Sequence, residues 1–318
     1  MKNQKSPIVL NAQKVEALLP RLDVLSVLTD MFKALGQNKA VQPSQTLTPF
    51  PTGIGDFITY MGAIDSMGVF GAKLSPYIVT DKSPIVTAWT CLMSMDTGRP
   101  LVWCDSGQLT TERTAGTSAL AIDLLSPKEA QHLSIIGSGA VAEAHFRHVI
   151  GLREWATVSV FSPSLTKDPD RMARWSSLGK NVEIATDSKS CLEGSDVVML
   201  CTSSGVPVVM PSDTGKNSVF TSISTNALNA HEVPPEFLNS VDVYCDYRPT
   251  TPDSAGEMKI ASASGDWSAE NICGDLPGLV CGTCPPPSGD KSVFFRSIGL
   301  GLEDIAMAYG IWCLADGS

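Results

Sequence analysis

Charge is scarce in this chain, and positive charge is the scarcer sign. Of 318 residues only 18% are Asp, Glu, Lys or Arg, and 33 acids against 23 bases leave a net charge of −10. A surface of that sign repels polyanions, so neither nucleic acid nor an anionic membrane is expected as a partner, whereas a cationic small molecule is compatible with it. Long apolar runs are missing too. No stretch approaches the roughly 20 residues of a membrane helix. The opening MKNQKSPIVL has neither the apolar core nor the small-residue cleavage site of a secretory leader, and a cytoplasmic location is expected. Paired cysteines are not evident: the nine present are an odd number and scattered, as in a reducing compartment with free thiols. The one C-x-x-C, Cys281 to Cys284, runs straight into three prolines, so no helix start favours a thiolate there. Cys273 is the only further thiol nearby, too few ligands for zinc, and no metal is expected. What the chain does have is apolar residues, 43% of the total, enough for a large core, and a length that fits two domains.

The most specific local signal is residues 132–147, HLSIIGSGAVAEAHFR. A short apolar strand meets Gly137-Ser138-Gly139, and a helix follows from Ala140, with Ala142 in the third small position of a G-x-G-x-x-A turn. In such a turn the first glycine permits the bend and the second lets backbone N–H groups approach a pyrophosphate. The third small residue lets helix pack on strand. Gly137, Ser138, Gly139, Ala140 and Val141 are therefore the expected pyrophosphate cradle of a dinucleotide, with an ordinary strand–helix turn as the alternative. The next strand ends in Ser162-Pro163-Ser164 with no carboxylate, and Lys167, Arg171 and Arg174 follow. A carboxylate there would hold a ribose hydroxyl and repel a 2′-phosphate. Hydroxyls beside a cation favour NADP, with NAD second. Thr202 and Ser203 close a later strand at its C-terminal end, where open α/β sheets bind ligands, and are further cofactor candidates.

Around this turn the text alternates strand and helix through 158–162, 170–178, 197–202 and 219–224, the pattern of a Rossmann-type doubly wound parallel sheet. Before it, residues 12–36 read as two helices parted by Pro20 and stopped at Gly36, and 46–103 as a largely antiparallel sheet with a hairpin turn at 96–99. A helix over 109–125 links the two parts, and the last helix, within 297–315, carries a Leu300/Ile305/Ala308/Ile311 face suited to burial or subunit contact. The expected fold is α/β, with a dinucleotide domain over 116–290 and a second α+β domain, for substrate and dimerisation, from 1–115 and 291–318. The Pro/Gly-rich stretch 249–290 reads as a connection.

Two cations stand in apolar surroundings: Lys73 in VFGAKLSPY and Arg113 in the helix 109–125. A buried cation is either paired or faces a cavity, and the residues alone leave both readings open. The segments GAKLSPY, DTGRPLVWCDSGQLTTERTAGTSALA, HLSIIGSGAVAEAHFRHV and RSIGLGLEDIAMA occur here in the order seen in the ornithine cyclodeaminase/mu-crystallin family, and the resemblance spans about residues 40–310. It implies an NAD(P) domain, a second domain forming a homodimer, and a substrate cleft between them. It also implies that Lys73 and Arg113 bind an amino-acid carboxylate beside the nicotinamide, so that Arg113 serves the cofactor side as well.

The departures from the family are informative. Gln45 stands where the family often has a carboxylate-binding Arg. In SISTNALNAHE, Asn226 takes the place of the family's catalytic Asp, and Ala230 that of a Lys. An amide cannot accept a proton as a base does, so Asn226, with Thr225, can only orient water or an amino group. Asn226 also reads as a loop residue capping a turn. Cyclisation is thereby weakened and simple oxidative deamination favoured. SISTNALNAHEV and DVYCDYRPTTPDSAGEM resemble the L-arginine dehydrogenase branch. The implied activity is NADP-preferring oxidation of L-arginine to 2-oxo-5-guanidinovalerate and ammonia, with Lys73, Thr225 and Asn226 catalytic and Gln45, Lys73 and Arg113 on the substrate. A cyclodeaminase or ketimine reductase, or a non-catalytic NADPH-binding crystallin-like protein, are the alternatives. Asp56, Asp65, Glu232 and Glu257 are candidate guanidinium ligands, each reading also as a solvated surface acid. His145 and His148, one helical turn apart, lack a third metal ligand, and His231 is a candidate proton shuttle.

Overall fold

The computed structural model describes residues 6–215, 217–225 and 229–317. The chain divides into two compact units, Met1–Arg113 with Leu300–Ser318, and Thr114–Gly299.

The first unit is a sheet with helices on one face. Strands β1 (Ile8–Leu10), β2 (Ala40–Val41), β3 (Thr46–Pro49), β4 (Gly55–Ile64), β5 (Val69–Ile78), β6 (Ile85–Val86), β7 (Trp89–Ser94) and β8 (Pro100–Asp105) run in the order β1-β8-β7-β5-β4-β2, with β3 on β4 and β6 on β5. Every pairing is antiparallel except β1 on β8. Helices α1 (Ala12–Leu18) and α2 (Val24–Gly36) start where Asn11 and Asp23 accept a backbone N–H three residues on. Pro20 lies in a 3-10 turn between them, as its missing N–H requires. The last helix, α9 (Gly301–Asp316), is buried on all sides from Gly301 to Ala308 and packs on β4, β5 and α2. Its first residue touches the sheet: a Cβ at Gly301 would lie 2.3 Å from the carbonyl oxygen of Met61.

Directly opposed residues share a sheet face. Tyr60, Lys73 and Thr90 form one such row across β4, β5 and β7 on the helix-covered face. The opposite face carries Met61, Phe70, Leu74, Trp89 and Trp103, with Val9 and Val41 in register beside them. It is uncovered: Val9, Val41, Met61, Phe70 and Leu74 are 38–62% exposed.

The second unit is a sheet of eight parallel strands: β9 (His132–Ile136), β10 (Thr157–Phe161), β11 (Val182–Ile184), β12 (Val197–Leu200), β13 (Val219–Ser222), β14 (Asp242–Cys245), β15 (Ile272–Asp275) and β16 (Val293–Arg296). Their order is β11-β10-β9-β12-β13-β16-β14-β15. Strands β12, β13, β14 and β16 are buried at every residue, as expected of a parallel sheet covered on both faces. Helices α4 (Ala140–Val149), α5 (Pro169–Ser177), α6 (Ser188–Leu192), α7 (Gly256–Ser264) and α8 (Leu276–Cys281) connect them. Helix α3 (Gly107–Leu125) holds the junction of the units, with Arg113 the last residue of the first.

Two expectations are corrected. The stretch 249–290 is not a bare connection, since it contains α7, β15 and α8. Its prolines sit where they do no harm, Pro277 for example in the first turn of α8 after the N-cap Asp275. Strand β16 belongs to the second sheet, so the chain returns to the first unit at Leu300 instead of 291.

Gly301→Ala is expected to destabilise the protein by about 1–3 kcal/mol, because the added carbon meets backbone that cannot turn aside. Gly139→Ala, whose Cβ enters open space at φ −84°, is expected to leave stability nearly unchanged. Urea denaturation of the two variants checks the contrast.

Candidate active site

Lys73 is 1% exposed, and three groups surround its ammonium. Nζ lies 2.8 Å from Asp304 Oδ2, donates to Thr110 Oγ1 at 3.3 Å, and sits 4.2 Å from the centre of the Tyr60 ring. Arg113, 5% exposed, donates from Nη1 to Glu303 Oε2 at 2.8 Å and brings Nε to 3.3 Å from Asp304 Oδ1. Both acids belong to the first turn of α9, where the helix N-terminus favours negative charge. Two cations and two anions are thus buried as one neutral cluster. An unbalanced charge in such surroundings costs several kcal/mol, on the order of 3–5 when one partner of a buried pair is removed.

The cluster tunes its members. Burial, reinforced by Arg113, lowers the Lys73 pKa to about 8 against the pull of Asp304 and Glu303. The unfolded chain therefore binds this proton more tightly. The burial of the cation weighs on stability below about pH 8, and that burden lifts as pH rises toward the ordinary 10.5. Burial also acts against the Arg113 cation, but Asp304 and Glu303 outweigh it and hold the guanidinium charged. Burial raises the Tyr60 phenol, with Arg113 opposing and the two acids adding.

Arg113 hydrogen-bonds Glu303 through Nη1 and holds Nε within ion-pair range of Asp304 without a hydrogen bond, and neither acid takes up Nη2. A guanidinium edge held this way, next to an ammonium, is suited to a carboxylate. The two readings of these cations are not exclusive, because both are ion-paired while Nη2 of Arg113 is not taken up by either acid. Glu303 and Asp304 were not singled out in the sequence. Their signal was two adjacent acids inside the apolar LGLEDIAMA. Gln45 lies half-buried before β3, and its Oε1 is buried with no hydrogen-bond partner among the described residues.

The glycine turn occupies the ends of β9 and β12, where the chain order of the second sheet reverses. Gly137 has φ +122°, and a Cβ there would stand 2.5 Å from the Cys201 carbonyl oxygen, so only glycine fits. Gly139 begins α4 without a side-chain cap, and a Cβ there would meet nothing. Protein packing therefore does not require a glycine at 139. Open room above uncapped N–H groups is what a pyrophosphate needs, and the turn fits a dinucleotide. Ala140 is exposed, Val141 partly so, and Ala142 fully buried. Beyond β10, Ser138 and Ser162 hydroxyls hydrogen-bond at 2.7 Å, and Arg171 donates to Ser138 Oγ at 3.3 Å and to exposed Ser164 Oγ at 3.2 Å. Asp168 pairs with the other end of that guanidinium at 2.9 Å. Of the three basic residues in this stretch, Arg171 is the one brought to the serines. Arg174 pairs with Glu143, and Lys167 is exposed.

Two candidate guanidinium ligands are already engaged. Glu232, fully buried, accepts five hydrogen bonds: from Thr202 N–H and Oγ1, Ser222 Oγ, and the N–H groups of Ile223 and Ser224. It ties together the ends of β12 and β13 and consumes the Thr202 hydroxyl. Glu257 is buried 2.9 Å from Arg296 Nε, and burial raises its pKa against the opposing effect of that guanidinium. Arg296 also donates to the carbonyls of Ser224 and Ala230. Neither acid is the solvated surface residue expected. Asp56 is half-buried in β4 and Asp65 exposed. Thr225 and Ser203 are exposed, and Asn226 lies outside the described residues. The ring of His145 bonds Val141 O and Ser118 Oγ, and Nδ1 of His231 bonds Asn229 O. Among the described residues no group of three or more His, Cys, Asp or Glu side chains could hold a metal ion, and no helix is long and apolar enough to cross a membrane.

A family model described as the ornithine cyclodeaminase/mu-crystallin family matches residues 5–315. The chain belongs to that family. It is 48% identical over 309 residues, 97% of this chain and 98% of the other, to an NAD(P)H-dependent anabolic L-arginine dehydrogenase, DauB, of Pseudomonas aeruginosa. The ketimine reductase mu-crystallin of Macropus fuliginosus is 24% identical over 327 residues, 96% of this chain and 98% of that one. Among solved structures, a Thermococcus litoralis Delta(1)-pyrroline-2-carboxylate reductase in complex with NADH and L-proline superposes with a TM-score of 0.89 at 21% identity, covering 98% of each chain. An archaeal alanine dehydrogenase dimer with bound NAD gives 0.88 at 20%, covering 98% of this chain and 97% of that one. At those identities the likeness shows the fold: a Rossmann-type sheet with a second domain.

Proposed function

We propose that this protein is an NADP-preferring L-amino-acid dehydrogenase that interconverts L-arginine with 2-oxo-5-guanidinovalerate and ammonia. The observation that carries the reading is the buried ion cluster in which Lys73 and Arg113 share Asp304, with Arg113 Nη2 not taken up by either acid. The 48% identity to an L-arginine dehydrogenase along nearly the whole chain supports it. Arg113 grips the substrate carboxylate through Nη2 and Lys73 adds a second positive contact. Gln45, with its buried amide oxygen, serves the same end of the substrate. Gly137, Ser138, Gly139, Ala140 and Val141 hold the pyrophosphate. Ser162, Ser164 and Arg171 receive the 2′-phosphate, and Thr202 and Ser203 border the nucleotide. The bound nicotinamide supplies the hydride acceptor, or donor in the reverse direction. Lys73 takes up and returns protons near its depressed pKa of about 8. Thr225 and Asn226 orient the water that attacks the imine carbon. The guanidinium of arginine stays protonated, so the substrate does not close a ring.

NADPH formation followed by absorbance is expected with L-arginine and to be weaker with lysine and ornithine, and the product is expected to be a linear oxo acid. Silence on all amino acids, or a cyclic product, overturns the reading. Arg171→Ala is expected to raise KM for NADP about tenfold or more, through loss of a charge-assisted contact, while leaving KM for NAD within about twofold; equal effects on both would remove the 2′-phosphate assignment.

We further infer a homodimer formed through the uncovered sheet face. Met61, Phe70, Leu74, Trp89 and Trp103 present an apolar surface that water disfavours, and a second copy related by a two-fold axis covers it in the dimer. Light scattering is expected to give twice the chain mass, and Phe70→Asp with Leu74→Asp to give the monomer.

A further inference from the structure

The two cations expected to receive a carboxylate are not placed independently, because one side chain reaches both. Asp304 Oδ2 is 2.8 Å from Lys73 Nζ and Oδ1 is 3.3 Å from Arg113 Nε. Glu303 meets only Arg113 among these two, at 2.8 Å. We propose that Asp304 is the positioning residue of the site: its carboxylate bridges Lys73 and Arg113, sets the spacing between them, and so aims both at the substrate carboxylate. This inference rests on the dehydrogenase reading above and adds a residue to it.

The construction explains why an acid stands against cations meant for another acid. Lys73 is tethered on three sides, by Asp304 from α9, by Thr110 from α3 and by the Tyr60 ring from β4. Each tether removes a direction in which a four-carbon side chain could swing. Asp304 in turn cannot drift, since α9 enters the sheet at Gly301 with no room to spare, and its side chain is fully buried. The anion that makes burial of two cations tolerable also orients them, and a substrate carboxylate then meets prearranged donors.

The charges facing Lys73 are Arg113 from α3, Glu303 and Asp304 from α9, and the ionisable phenol of Tyr60 from β4. Cys104 on β8 also lies within reach of Asp304, its thiol pushed up to about 12, chiefly by burial. Burial and Arg113 both act to strip the Lys73 proton, while Asp304 is the foremost group retaining it. Without Asp304 that proton leaves at lower pH, and the site loses a cation where wild type still has one. Removal of Glu303 loosens Arg113 but leaves Lys73 its main partner.

The test is a pH series of kcat and KM for L-arginine on the full chain with saturating NADP. For Asp304→Asn, KM is expected to rise about tenfold or more at neutral pH, and the alkaline fall of kcat/KM to move down by at least one pH unit. Glu303→Gln is expected to raise KM and to move that fall by clearly less than Asp304→Asn does, since Glu303 is the weaker of the two acids acting on Lys73. Asp304→Glu keeps the charge but displaces it by one methylene, so KM rises while the fall stays near its wild-type pH. If Asp304→Asn does not fold, Asp304→Glu alone decides through KM. An active wild type with unchanged KM in the foldable Asp304 variants, or a pH shift shared equally by Glu303→Gln, overturns the assignment to Asp304. An inactive wild type overturns the dehydrogenase reading instead.

Discussion

The first unit is organised around one electrostatic constraint: two cations can be buried under its sheet only if two anions are buried with them. Lys73 comes from the middle of a strand and Arg113 from a helix, so no local sequence rule brings them together. The acids that join them arrive about 190 residues after Arg113, at the start of α9. The helix must therefore be buried, must begin against the sheet and must present consecutive acids in its first turn. Its apolar circumference, the missing side chain at Gly301 and the Glu303–Asp304 pair meet these demands. The same first turn has the positive end of the helix dipole, so the acids gain there what they would lose in mid-helix.

The second unit uses buried charge differently. Two of its buried carboxylates, Glu232 and Asp246, receive backbone N–H groups at the C-terminal ends of parallel strands, where loops leave donors unsatisfied. Glu232 does this for the ends of β12 and β13, and Asp246 for Tyr247, Ile298 and Gly299. Arg296 does the reverse, giving its protons to the carbonyls of Ser224 and Ala230. A carboxylate accepting several N–H bonds gains strength in a medium of low dielectric. The edge of the sheet that open α/β folds use for ligands is thus held by side chains that do not themselves need to touch one.

Much of this was legible because the signals were local. The glycine turn announced itself by strand, bend and helix within sixteen residues, and the alternation around it gave the sheet. Lys73 and Arg113 stood out because a cation in an apolar run demands an explanation. What escaped was non-local or short. Glu303 and Asp304 matter only through partners far away in the chain. Glu232 and Glu257 read as surface acids because nothing near them in sequence hints at five donors or at Arg296. Strands β14, β15 and β16, no shorter than β12 and β13, each carry a charge at one end (Asp242, Asp275, Arg296) that interrupts the apolar signal, and prolines hid α8.

If the substrate is arginine, as proposed above, selectivity for its cationic tail follows a further rule of burial. Among the described residues each buried acid has a protein partner: Glu232, Asp242 and Asp246 hold backbone N–H groups, Glu143 and Glu257 hold arginines, Glu303 and Asp304 hold the site cations, and Glu112 is likewise engaged. An acid kept ready for a guanidinium cannot be one of these, since handing it over would strand a buried donor or cation at a cost of several kcal/mol. Nor can it be buried and waiting, because an unpaired buried carboxylate takes up a proton and loses the charge that attracts arginine. The receptor for the substrate's tail must therefore be an acid that stays hydrated until the substrate arrives, or a set of carbonyls. Of the four acids considered from sequence, only Asp56 and Asp65 retain that freedom, and Asp56, half-buried on β4, shares its strand with Tyr60.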